Sequence, residues 1–158
     1  MAKVLVLYYS RTGNTRKMAE TVAEGAKQAG AEVAVCDVES CALEQLLEYD
    51  AIIAGSPTYY GIVAGALKEF FDRSVKYHTK LEGKVGGAFS SGGGMGGGSE
   101  TTVLSILQMM LVHGMIVQGK SKGNHYGAVS VKAPDENVIQ ECRQLGERVA
   151  KLAAKLFG

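Results

Sequence analysis

The sequence predicts an α/β fold: a five-stranded parallel sheet, strand order 2-1-3-4-5, with helices on both faces. Three observations predict it. Apolar runs of strand length alternate with amphipathic stretches along the whole chain. The runs are apolar at consecutive positions rather than alternate ones, as strands buried on both faces require. Glycine or small polar clusters punctuate the changes of element. Right-handed crossovers then leave few topologies, and the strand order follows by analogy with other doubly wound sheets.

The elements follow in order. Lys3-Val4-Leu5-Val6-Leu7-Tyr8-Tyr9 reads as the first strand. Met18, Val22, Ala26 and Ala29 recur at helical spacing until Gly30, a natural stop. Glu32 to Val38 is the second strand, and Leu43, Leu46 and Leu47 mark a short helical segment. Asp50-Ala51-Ile52-Ile53-Ala54-Gly55 is the third strand, followed by a helix carrying Val63, Leu67, Phe70, Phe71 and Val75. Lys84 to Phe89 is a fourth strand, rich in glycine where a helix or ligand packs close. Val103, Leu104, Leu107, Met110 and Leu111 give the next helical face, ending at Gly114. The fifth strand, Met115-Ile116-Val117, is interrupted by a Gly/Lys/Asn/His loop and resumes at Ala128-Val129-Ser130-Val131. Val138, Cys142, Leu145, Val149, Leu152 and Leu156 form the apolar stripe of a last helix.

Composition narrows the function. A chain of 158 residues suffices for one domain with a proper core, and residues 1–158 are read as one. A net charge of +1 with no basic run argues against nucleic acid or an anionic membrane as partner. No apolar stretch reaches the length of a membrane span, and the N-terminus enters a strand with no signal peptide before it. Cys36, Cys41 and Cys142 form no CxxC pair and are an odd set, which fits small buried residues in a reduced, cytoplasmic protein.

Parallel strands bring the loops after strands 1, 3 and 4 to one edge. The first is Ser10-Arg11-Thr12-Gly13-Asn14-Thr15, a tight turn into a helix whose first amides lack partners. Hydroxyls and a positive helix end suit a phosphate dianion. The second, Ser56-Pro57-Thr58-Tyr59-Tyr60-Gly61, offers two aromatic rings to flank a planar group and a backbone stiffened by proline. The third runs Ser90-Ser91-Gly92-Gly93-Gly94-Met95-Gly96-Gly97-Gly98-Ser99-Glu100, whose bare backbone can approach a heterocycle. Taken singly, each has a plainer reading: a capped helix start, surface tyrosines, a flexible linker. The glycine run, however, separates a strand from a helix of the same sheet, so an ordered loop is the better reading. No GxxxxGK[ST] or GxGxxG motif occurs. Phosphate, polyol and flat polar ring together describe flavin mononucleotide (FMN), bound at the switch point between strands 1 and 3.

These loops also carry a resemblance. The hexad Ser10–Thr15 resembles the phosphate loop of flavodoxins. Ser56–Gly61, Phe89-Ser90-Ser91 and the Gly-rich pattern ending at Glu100 resemble more closely the tryptophan-repressor-binding-protein-like FMN-dependent NAD(P)H:quinone oxidoreductases. His113-Gly114-Met115, Tyr126-Gly127-Ala128 and Gly146-Glu147-Arg148-Val149-Ala150 resemble the same branch. The resemblance spans essentially the whole chain and implies a flavodoxin-like three-layer sandwich with FMN as cofactor. It also implies NAD(P)H as co-substrate. The chain departs from that branch in its short stretches Glu39–Tyr49 and Gly119–His125, where the family's longer insertions build a tetramer. It has no tryptophan, which the family places near its substrate site, and Val112 replaces the first of the family's paired histidines. A homo-oligomer is therefore left open.

The ligand loops hold Arg11 and Glu100 as their only formal charges. A low-potential one-electron carrier needs negative charge crowded around the flavin. Its scarcity here points to electron-pair chemistry, from NAD(P)H through the flavin to a small quinone-like acceptor. The alternative is a flavodoxin-type electron carrier serving a redox protein partner, and a flavin-free interaction module is a third. No metal cluster stands out. His113 is the named candidate for catalytic proton transfer, although a histidine at a helix end also simply favours the dipole.

Overall fold

The computed structural model describes residues 1–158. Its centre is a parallel sheet in which β1 (Lys3–Tyr8) lies between β2 (Glu32–Asp37) and β3 (Ala51–Tyr59). Strand β4 (Ile62–Val63) folds back antiparallel on β3, and β5 (Val85–Gly92) pairs with the other side of β3. Beyond β5, β6 (Ile116–Val117) pairs with its start and β7 (Ala128–Val131) with its end. The expected order is therefore observed, with the fifth position split between two segments, exactly one of which ends at the candidate site. The short β4 is an addition to the five parallel strands expected.

Side-chain alternation explains the continuous apolar runs. Val4, Val6 and Tyr8 of β1 pack to one face, with Met18, Val22 and Ala26 of α1 (Asn14–Gln28) and Leu145 and Val149 of α5 (Glu136–Phe157). Leu5 and Leu7 point to the opposite face, with Leu67 and Phe70 of α3 (Gly65–Arg73) and Val103, Ile106 and Met110 of α4 (Ser99–Val112). One-turn helix α2 (Gln45–Glu48) seats Leu46 against that same face. Asp135 caps α5 by accepting from the Val138 amide at 2.9 Å.

Several boundaries differ from the sequence reading. Strand β3 runs on through Ser56-Pro57-Thr58-Tyr59, and β5 through Ser90-Ser91-Gly92, so the first part of each expected loop is a strand end. Val63 joins β4 rather than the helix, and Val75 falls in a 3₁₀ turn, Ser74–Tyr77, with its side chain exposed. Leu104 and Leu111, expected on the buried face of α4, are exposed, while Ile106 replaces them in the core.

Glycines in the sheet and helices mark close approaches. A Cβ on Gly86 would lie 2.8 Å from Met110 Sδ of α4, and one on Gly87 2.9 Å from a Val149 methyl of α5. The glycine-rich β5 thus accommodates helices from both sides. Between α1 and α5 the backbones nearly touch: a Cβ on Gly146 would sit 1.9 Å from the Val22 carbonyl oxygen, and one on Gly25 2.0 Å from that of Arg143.

Candidate active site

The carboxyl ends of β1, β3, β5 and β7 meet at one edge around a cleft of about 400 Å³. The first loop contributes Arg11, Thr12, Asn14 and Thr15 to its lining, the second Pro57, Thr58 and Tyr59, and the third Ser91, Gly92 and Gly93. Lys132, immediately after β7, completes it.

The first loop is shaped for an anion. Gly13 holds the N-cap position of α1 with φ 101°, a left-handed conformation that glycine adopts without penalty. No side chain caps the helix. Ser10 Oγ instead accepts from the Gly13 amide at 3.1 Å, closing the turn and leaving the amides of the first helical residues free. Thr12, Asn14 and Thr15 thus surround an uncapped, positive helix end.

Hydrogen bonds tie the loops to each other. Thr15 and Ser91 hydroxyls share a buried bond of 2.8 Å. Thr102 donates to Thr58 Oγ1 at 3.0 Å, and Thr101 to the Gly61 carbonyl at 2.6 Å. Gly98, at φ 108°, passes so close to Gly61 that a Cβ there would meet its Cα at 2.6 Å. Ser56 and Ser90, expected to bind the ligand, are wholly buried and serve the scaffold instead. Ser56 Oγ accepts from the Ala64 amide at 2.9 Å and donates to the Pro57 carbonyl, and Ser90 Oγ donates to the Ser99 carbonyl at 2.8 Å. Both sit near the ends of central strands, where side chains alternate between covered faces.

Tyr59 forms one wall, its ring edge-on to Tyr9 with centroids 6.3 Å apart. Its hydroxyl is buried with no hydrogen-bond partner. An orphaned buried hydroxyl is costly, and Tyr9, whose pKa is raised by burial and then by Tyr59, is its polar neighbour. Tyr60 stands outside this lining. Tyr60 and Gly61 are the two-residue turn of the β3–β4 hairpin, with φ 48° and 84°, which turns the Tyr60 ring fully into solvent. Likewise Gly94, Met95, Gly96 and Gly97 form a projecting turn, closed by a 3.2 Å bond from the Gly97 amide to the Gly94 carbonyl, and do not line the cleft.

His113 is also corrected. Helix α4 starts at the cleft edge and runs antiparallel to the strands, so its fourteen residues carry His113 about 20 Å away, to the opposite edge. There its Nε2 lies 2.6 Å from Ser74 Oγ, and burial, then His78, lowers its pKa. Glu100 lines a separate, smaller pocket with His125 and Tyr126. The cleft lining therefore holds two cations, Arg11 and Lys132, and no carboxylate. Lys132 escaped the sequence reading because the interrupted fifth strand hid its carboxyl end. Its signal was there: it directly follows Val131, the last apolar residue of the resumed strand.

The uncapped helix end, the unpartnered Tyr59 hydroxyl and the open backbone at Gly93, where an added Cβ meets nothing within 4 Å, all fit the phosphate and flat polar ring of FMN. The flavodoxin domain family matches residues 5–131. The chain belongs to that family. A relative from Archaeoglobus fulgidus, named NAD(P)H dehydrogenase (quinone), is 39% identical and covers 99% of this chain and 100% of its own. Its alignment spans 190 positions against the 158 residues here, so it carries segments this flavodoxin-domain chain lacks. A protein from Aquifex aeolicus named flavodoxin is 44% identical over 163 positions, covering 98% of this chain and 88% of its own. Among solved structures, a WrbA-like flavodoxin from Agrobacterium tumefaciens superposes with a TM-score of 0.84 at 30% identity, covering 98% of this chain and 99% of the other.

Proposed function

We propose that residues 1–158 act as one unit that binds FMN and moves electrons in pairs from NAD(P)H to a small quinone-like acceptor. The observation that carries this reading is the charge of the cleft: Arg11 and Lys132 line it and no carboxylate does. Cations near a flavin favour its anionic, fully reduced form, whereas a low-potential carrier opposes that form with negative charge. The NAD(P)H dehydrogenase (quinone) relatives support the same reading.

Thr12, Asn14 and Thr15, with the free amides of α1, would hold the phosphate, and Arg11 and Lys132 would neutralise it. Tyr59 would wall the ring, and the backbone of Gly92 and Gly93 would meet its polar edge. Bound there, FMN would supply the hydride-accepting and electron-donating chemistry. No helix of the chain is long and apolar enough to cross a membrane. Three free cysteines support a cytoplasmic setting.

The test is anaerobic mixing of the FMN-loaded protein with NADH and with NADPH. Rapid bleaching by either, and return of colour on adding a quinone, is expected. A second reading, an electron carrier for a redox protein, is favoured by the Aquifex aeolicus flavodoxin, which aligns with few extra positions. Bleaching by dithionite but by neither nicotinamide would select it.

A further inference from the structure

Cys36 and Cys41 lie on the face of the sheet opposite α1 and α5, and the chemistry of the cleft uses neither. Cys36 is near the end of β2, in register with Leu7. The chain then reverses within one turn: the Ser40 and Cys41 amides both donate to the Asp37 carbonyl, at 3.0 and 2.8 Å. That reversal brings the two sulfurs to the same atom. Cys36 Sγ donates to Gln45 Oε1 at 3.3 Å and Cys41 Sγ to the same oxygen at 2.8 Å. Two thiols that donate to one and the same oxygen are neighbours, and Cys36 adds to the burial that raises the Cys41 pKa. The third cysteine, Cys142, is fully buried among α1 and α5 residues on the other face of the sheet and can reach neither.

We propose that Cys36 and Cys41 form a reversible dithiol site that reacts with hydrogen peroxide and closes as an intrachain disulfide. The two positions divide the work by exposure. Cys36 is half-buried and reachable, whereas Cys41 is buried beneath it. Burial, then the Cys36 neighbour, raises the Cys41 pKa, so Cys41 stays protonated until a sulfur electrophile is beside it. The Cys36 sulfur takes one oxygen from peroxide; the O–O bond breaks and one water leaves. The Cys41 sulfur then attacks the resulting sulfenic sulfur, breaking the S–O bond, and its proton departs with the hydroxyl as a second water. The two sulfurs are together oxidised by two electrons and peroxide is reduced to water. A dithiol reductant reverses the closure by exchange.

The experiment treats the purified full chain with hydrogen peroxide, quenches it and alkylates it in denaturant before mass spectrometry. The number of alkylated cysteines should fall from three to one, with Cys142 retained, and dithiothreitol should restore all three. In Cys41→Ser the oxidation should stop at Cys36 as a sulfenic acid that dimedone traps. In Cys36→Ser, Cys41 should survive the same peroxide dose. The proposal is overturned if Cys36 and Cys41 both remain alkylatable, if one is oxidised without the other in the unaltered chain, or if the disulfide links two chains. The measurement on the unaltered chain decides the matter even if a variant fails to fold.

Discussion

Lys132 sets a test at the level of a single side chain. It lines the cleft beside Thr15 and Ser91, and its backbone is fixed there: the Lys132 amide donates to the Gly92 carbonyl at 2.7 Å, and Ser130 Oγ to the Lys132 carbonyl at 2.9 Å. Lys132→Gln keeps the length and removes the charge. Affinity for FMN should fall by about 1.5–3 kcal/mol, the scale of a hydrogen bond to a charged group. Riboflavin, which lacks the phosphate, should be unaffected. Equal losses for the two ligands in fluorescence titrations would mean that Lys132 does not face the phosphate. His113 supplies a second test, of stability. Ser74 Oγ donates to the Phe71 carbonyl, so it accepts from His113 Nε2–H, which leaves Nδ1 as a buried lone pair without a partner. Protonating Nδ1 would bury an unpaired charge, and burial, then His78, accordingly holds the pKa below its ordinary 6.5. As pH falls, the unfolded chain takes up this proton first. The stabilisation is therefore full above pH 6.5 and is lost as the pH falls through the unfolded value towards the lower folded one. Urea melts of His113→Gln should show a flatter decline over that window than the unaltered chain.

At the scale of elements, α5 is the helix whose docking is easiest to measure. Leu145 is buried against the sheet and lies within reach of Gly87, and Gly146 beside it lets α1 approach. Leu145→Ala should cost about 2–5 kcal/mol in denaturant melts, from lost burial plus the cavity left behind. A cost under about half a kcal/mol would show the stripe to be undocked. This stripe was legible in the sequence because its apolar spacing is helical from Val138 to Leu152; Leu156, expected to continue it, is exposed near the end of the helix. Other features were hidden for physical reasons. A strand and the loop that continues it look alike when both hold small residues, so the ends of β3 and β5 were read short. Tyr60 in a two-residue turn contradicts the usual preference of such turns for asparagine or glycine, so the hairpin leaves no signature in the sequence. The short α2 and the broken fifth strand were visible as pattern, but the latter's carboxyl end, and with it Lys132, was not assigned to the cleft.

The whole molecule decides between paired and single electrons through its charge layout. The loop hexad, the strand ends and Lys132 put two cations and no carboxylate on the cleft lining, while Glu100 is turned towards the pocket of His125 and Tyr126. The chain as a whole carries a net charge of only +1, so no distant acidic field opposes a reduced, anionic ring either. The second electron should then enter about as readily as the first, and the two reduction steps should overlap. A stepwise anaerobic titration of the FMN-loaded protein, followed by absorbance at several wavelengths, should keep its isosbestic points from start to finish. Arg11→Gln together with Lys132→Gln removes the lining charge and, at FMN concentrations that saturate the weakened site, should separate the steps by lowering the second potential. Well-separated steps in the unaltered protein would instead place it with the one-electron carriers. The backbone of Gly92 and Gly93, which would meet the ring, is the same in both forms of the protein, so the difference between unaltered and substituted chains isolates the electrostatic contribution.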